Sequence, residues 1–173
     1  MALSDVSRPR VLLVHNAYQQ RGGEDSVVDA ELTLLREGGH AVETYFRHND
    51  EVATMSVPGL LANTLWSRRT VDELDALAQR FRPDVIHVHN THPLISPSVF
   101  WAAAKLRVPV VLTLHNFRLL CPQGMLLRDE KVCEDCLGHL PWRAVWHRCY
   151  RRSAAQSAVV AATVTLHRAA ERR

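Results

Sequence analysis

Four cysteines, Cys121, Cys133, Cys136 and Cys149, stand in the spacing C-x11-C-x2-C-x12-C. A C-x2-C pair lets one turn of chain present two thiolates to a single ion, and two further cysteines complete a tetrahedral set of the kind that holds structural zinc. The same four thiolates could hold an iron–sulfur cluster, or stand as free or redox-active thiols. Four protein ligands leave zinc no open position for catalysis, so the expected role is structural. Residues 116–149 are irregular, rich in Cys, Pro, Gly and Trp, and have little core of their own, which a bound ion would offset.

Histidine is the second candidate: His15, then His87 and His89 followed by His92, then His115. On a strand, residues 87 and 89 point to one face and Val88 to the other. H-x-H at a strand end binds metal in hydrolases built on barrels, which makes a metal-dependent hydrolase using His87 and His89 a competing reading. A (β/α)8 barrel takes about 250 residues, more than this chain has, and no carboxylate follows a later strand to complete such a site. Satisfied polar residues at a sheet rim explain any one of these histidines, but three strands ending alike point to a shared site.

Two weaker patterns remain. Asn16 to Asp25 contains Arg21-Gly22-Gly23, where paired glycines before a helix start admit close approach of a phosphate, although Glu24 and Asp25 oppose an anion there. The plain alternative is a flexible turn. Gly59 to Arg69, GLLANTLWSRR, reads as packing with a charged end, or as a segment resting on a membrane surface or lining an acceptor cleft. Trp142 and Trp146 read as packing beside the cysteines rather than as a sugar-stacking platform.

These groups need elements to position them. Residues 10–15, 41–46, 84–89 and 110–115 read as strands, the first around the continuous apolar run Val11 to Val14 that suits a strand buried on both faces. Helical spacing marks Ser26 to Glu37 (Val28, Leu32, Leu35, with Val27 and Leu34), closed by Gly38-Gly39. It also marks Val71 to Phe81, closed by Pro83, then Ser98 to Leu106 and an Ala-rich stretch over 150–171. Residues 47–70 fit neither pattern. Strand and helix alternate, which predicts an α/β fold: a Rossmann-like open parallel sheet with helices on both faces and its ligand site beyond the carboxyl ends of the strands.

The chain has 173 residues, 47% hydrophobic and 23% charged, which fits one folded domain and excludes disorder and fibrous repeats. A net charge of +3 is too small to argue for nucleic acid as a partner, and Arg far outnumbers Lys, found only at 105 and 131, a bias without functional weight. The opening MALSDVSRPR lacks the apolar core of a signal peptide and no run is long enough to span a bilayer, so the expected location is the cytoplasm, with peripheral contact at the inner face of the plasma membrane left open.

Taken in order, the segments resemble a known family. GGEDSVVDAELTLLREGGHAVETYF is similar to the opening βαβ unit of family 4-like glycosyltransferases of the GT-B fold. DVIHVHN and VPVVLTLHNFRLLCP are similar to later strands of the same N-terminal half, and the resemblance runs over roughly residues 10–170. It implies transfer of a sugar from a nucleotide-sugar donor to a glycan, lipid-linked or small acceptor, in a cleft between two Rossmann-like halves. Carried over position by position, Gly22 and Gly23 would approach the donor diphosphate, His115 and His89 would face the reacting groups, and Asn90 and Asn116 would line the acceptor side. Such enzymes generally need no catalytic metal. The resemblance places all of 1–173 in the acceptor-side domain; the donor-binding half with its E-x7-E motif lies outside it. The isolated chain is therefore expected to be inactive, the alternative being a stand-alone binding module derived from a transferase.

Overall fold

The computed structural model describes residues 8–170; residues 1–7, most of the opening MALSDVSRPR, and 171–173, which include the expected end of the last helix, lie outside the described residues. Four parallel strands form the main sheet: β1 (Val11–Ala17), β2 (Val42–His48), β3 (Val85–Val88) and β4 (Val110–Leu112), in the order β2-β1-β3-β4. Val11 lies opposite Val42 on one side and Val85 on the other, and Ile86 opposite Val110. The central strand β1 is buried along nearly its whole length, as its apolar run predicts.

Helix α1 (Gly23–Glu37) links β1 to β2, a 3-10 helix (Asn49–Thr54) with α2 (Val57–Leu65) and α3 (Arg68–Phe81) leads from β2 to β3, and α4 (Ser98–Leu106) joins β3 to β4. The chain steps from β1 outward to β2, then back across β1 to β3. Right-handed crossovers therefore place α1 on one face of the sheet and α3 and α4 on the other. The alternation along the strands shows the result. Leu12 and Val14 of β1 and Ile86 and Val88 of β3 join Leu74 of α3 and Val99 and Ala102 of α4 in one apolar core.

The boundaries differ from the sequence expectation for local reasons. The stretch 47–70 hides the 3-10 helix and α2, both short, and the first turn of α3: Ser56 caps α2 by accepting from the Gly59 N–H at 3.2 Å, and Ser67 caps α3 by accepting from the Thr70 N–H at 3.2 Å. Strand β4 ends at Leu112, so His115 sits past the ladder rather than on a strand. Val27 and Leu34, grouped by spacing with the inward face of α1, are exposed. The last helix, α6 (Ala154–Ala170), starts later than residue 150 because Tyr150 to Ser153 form its capping turn, where the Ser157 hydroxyl accepts from the Tyr150 N–H at 3.0 Å.

Residues 116–149 carry a small antiparallel hairpin, β5 (Leu127–Arg128) and β6 (Lys131–Val132), and the short helix α5 (Trp142–Trp146). Trp142 and Trp146 are 66% and 85% exposed, not packed, because the one side chain that α5 buries is Ala144. The Arg168 guanidinium of α6 donates to the carbonyls of Leu119 (2.8 Å), Leu120 (3.0 Å) and His139 (2.7 Å), fastening this region to the domain.

At the carboxyl edge Asn16, fully buried, accepts from the Leu94 N–H at 2.9 Å and donates to the Asn49 side chain at 2.8 Å. Asn16→Ala would leave the Leu94 N–H without its partner inside the protein. The expected loss is about 1–3 kcal/mol of unfolding free energy, read from urea denaturation; an unchanged midpoint would show that the amide is not a structural tie.

Candidate functional site

The face of the sheet opposite the apolar core is polar at its carboxyl end. His15, His87 and His89 all project there, beneath α1, whose inward stripe is Asp25, Val28 and Glu31 at helical spacing. His15 Nε2 lies 2.9 Å from Asp25 Oδ1, and Asp25 also accepts from the Gly22 N–H at 2.7 Å. Burial works against the Asp25 charge, yet the bonds from Gly22 and His15 hold its carboxyl below the usual range. Glu31 Oε2 lies 3.3 Å from His89 Nε2 and 3.5 Å from His87 Nδ1. The other ring nitrogens face β4's end: His87 Nε2 is 2.8 Å from Thr113 Oγ1 and His89 Nδ1 is 2.9 Å from His115 Nε2. Burial, reinforced by the neighbouring imidazoles, takes the His89 pKa down to about 3, and burial lowers that of His87.

The residues expected to line the acceptor side are brought together. His89, Asn90, His115 and Asn116 border one cavity of about 60 Å³ with Glu24, His92 and His167. The amide of Asn90 is already engaged, donating to the Asn16 carbonyl at 2.9 Å and accepting from the His92 N–H at 3.1 Å. Asn116 likewise donates to Glu24 at 2.9 Å and accepts from the Arg118 N–H at 2.9 Å. Gly22 and Gly23 border neither this cavity nor the next. A Cβ at Gly23 would meet open space, and the Gly22 N–H that a phosphate would use is held by Asp25.

A second cavity, of about 420 Å³, adjoins the first through His92, Arg118 and Val160. Its walls include Val52, Val57, Leu60, Leu61 and Val159, so the segment 59–69 does line a cleft. Arg118 and Arg151 each lie 5.5 Å from the Tyr150 ring, and Arg118 Nη1 is buried without a hydrogen-bond partner.

The four cysteines border a third, smaller cavity with Arg128 and Asp135. Burial, then the adjacent thiols, push the Cys136 and Cys149 thiols up. Among the described residues the group of three whose ligand atoms lie within 4.8 Å of one another is Glu31, His87 and His89; the cysteine sulfurs do not meet that spacing. Glu31 and Arg118 escaped the sequence reading, which took Asp25 only as opposing an anion. The two carboxylates left a signal, since positions 25 and 31 interrupt the stripe that carries Val28.

His167 is buried and His92 half-buried away from the Glu31 group, and desolvation takes the pKa values of His92 and His167 from 6.5 down to about 3 and about 4. Below pH 6.5 the unfolded chain binds protons that the folded chain refuses, so stability is full above that pH and falls as pH drops toward 4. His167→Gln, which keeps a donor for Thr91, should flatten that slope by about one proton in unfolding measured across pH 4–7; an identical slope would mean that His167 is not held neutral.

No helix among the described residues is long and apolar enough to cross a membrane. No curated protein and no solved structure matches the chain. The model of the family described as Glycosyltransferase Family 4 matches residues 9–171. That span takes in the sheet, both helical faces and the cysteine region together, and by it the chain belongs to glycosyltransferase family 4.

Proposed function

We propose that this chain forms the acceptor side of a glycosyltransferase that passes a sugar from a nucleotide-sugar donor to an acceptor bearing an apolar segment and an anionic group, as a lipid-linked glycan does. The observation that carries this reading is the 420 Å³ cavity, apolar along Val52, Val57, Leu60 and Leu61 and lined also by Arg118, whose Nη1 has no hydrogen-bond partner, next to the cavity that His89 and His115 border. Its volume lies in the range of small-molecule sites, whereas the 60 Å³ cavity beside the histidines is too small for a whole sugar and suits the reacting hydroxyl alone. His115 Nε2 is engaged by His89, which leaves Nδ1 as the ring atom free to hydrogen-bond the acceptor hydroxyl. Departure of the diphosphate needs groups that stabilise its charge, and Arg21, the basic side chain of the glycine turn, is spent on Asp29. A second, donor-binding half would supply them.

Residues 1–173 alone should show no transfer from any nucleotide sugar, and the chain joined to a donor-binding half should label a lipid-linked acceptor. In that active form Arg118→Gln should raise the acceptor KM about 10–100-fold, the worth of a hydrogen bond to a charged group, and leave the donor KM unchanged. Equal effects on both substrates would place Arg118 outside the acceptor site. Full activity of the lone chain would overturn the two-half reading.

We also propose that Cys121, Cys133, Cys136 and Cys149 hold one structural zinc. The donor set supports it: four free thiols border one cavity, and burial with the neighbouring thiols pushes the Cys136 and Cys149 thiols up, a tension that ligation by a cation removes. Zinc counted by mass spectrometry should fall by one equivalent in Cys133→Ser, with a lower melting temperature. A cysteine variant with unchanged metal and melting would remove this assignment.

A further inference from the structure

The Glu31, His87 and His89 cluster belongs to no step of the transfer reaction proposed above. Its three facing atoms are spaced at 3.3 Å and 3.5 Å, and all lie within 4.8 Å of one another. The His89 side chain is 0% exposed and its Nε2 has no hydrogen-bond partner. A buried ring nitrogen without a partner costs free energy unless something occupies the space in front of it. What lies there is a carboxylate oxygen shared with a second imidazole, which is the donor set of a two-histidine, one-carboxylate metal centre.

The surroundings agree. Histidines that bind a metal through one ring nitrogen have the other held by a hydrogen bond, which fixes the ring. Here Thr113 Oγ1 holds His87 Nε2 and His115 holds His89 Nδ1, both from the chain just after β4. The three ligands come from rigid elements, β3 with its immediate extension and the middle of α1. Among the described residues the cluster is bordered by Thr113 and His115, with His15 edge-on to His89 at 6.1 Å between ring centres.

We propose that Glu31 Oε2, His87 Nδ1 and His89 Nε2 bind one divalent transition-metal ion, zinc by its donor preference, with water in a fourth position on the Glu31 side. Glu31 is 31% exposed on its side chain and supplies the opening. The site ties α1 to β3, and through the His89 contact it fixes the ring of His115 at the edge of the 60 Å³ cavity. It is a positioning site, separate from the cysteine cavity in both ligands and location. The sequence expectation of no catalytic metal stands beside it, since no reacting group need touch this ion.

The test uses the whole chain, freed of metal by chelator and then loaded with Zn2+ or with Co2+ as a spectroscopic probe. The expected result is two equivalents of metal. One shows thiolate charge-transfer absorption with Co2+ and is lost in Cys133→Ser; the other shows nitrogen and oxygen ligation by X-ray absorption and is lost in His87→Ala and in Glu31→Gln. Thr113→Val, which removes only the partner of His87, should keep the fold and weaken the second equivalent about 10–100-fold. Zn2+ should raise the melting temperature of the Cys133→Ser chain, and the effect should vanish when His87→Ala is added. Absence of a nitrogen- and oxygen-ligated equivalent in the unaltered chain overturns the proposal, as does its persistence in His87→Ala. Because every readout is metal content, spectrum or melting, failure here leaves the transferase reading standing, and failure of that reading leaves this one.

Discussion

Asn16 and Asn90 grip each other's backbone at the point where the two central strands end. The Asn16 N–H donates to the Asn90 carbonyl at 2.9 Å, and the Asn90 amide donates back to the Asn16 carbonyl at 2.9 Å. A parallel ladder that stops in the interior leaves such groups unpaired, and each would cost free energy if buried alone. The Asn16 side chain then reaches Leu94 and Asn49, so one residue joins the end of β1 to the chain after β2 and after β3. His15 and His89 are the immediate neighbours of these two asparagines, and their ring positions follow from the clasp.

From that constraint the two faces of the sheet diverge. One face is closed by apolar packing and does nothing but hold the domain together. On the other, period-two alternation places three histidines beneath a helix whose inward stripe carries two carboxylates. Each imidazole so placed is held at one ring nitrogen: His15 Nε2 by Asp25, His87 Nε2 by Thr113 and His89 Nδ1 by His115. The carboxyl edge thus becomes a place where titratable groups are fixed in orientation, the requirement for any proton transfer or ligand selection there.

The cysteine region and α6 complete the cleft from the far side. Arg168 spends its whole guanidinium on three backbone carbonyls of the cysteine-bearing segment, which keeps Arg118 and Tyr150 beside the larger cavity. A region of some thirty residues with a two-residue hairpin cannot hold such a shape by apolar burial alone, and its exposed Trp142 and Trp146 show how little of it is core.

Within the sequence, the apolar run of β1, the glycine stop after α1 and the alternation of strand and helix were enough to fix the fold class, because each is a local pattern whose period matches the element it forms. The same pattern gave the strand-end histidines, and the cysteine spacing marked its own segment. The short helices of 49–65 were illegible because their caps, not their periodicity, define them. The carboxylates that face the histidines were unreadable as a site for a different reason: Glu31 and His87 lie 56 positions apart, and only the right-handed crossover that lays α1 over β1 and β3 makes them neighbours. Arg118, placed by folding on the wall of the larger cavity, is the same case. Local periodicity determines elements, and the juxtaposition of charge across elements is decided by the tertiary fold.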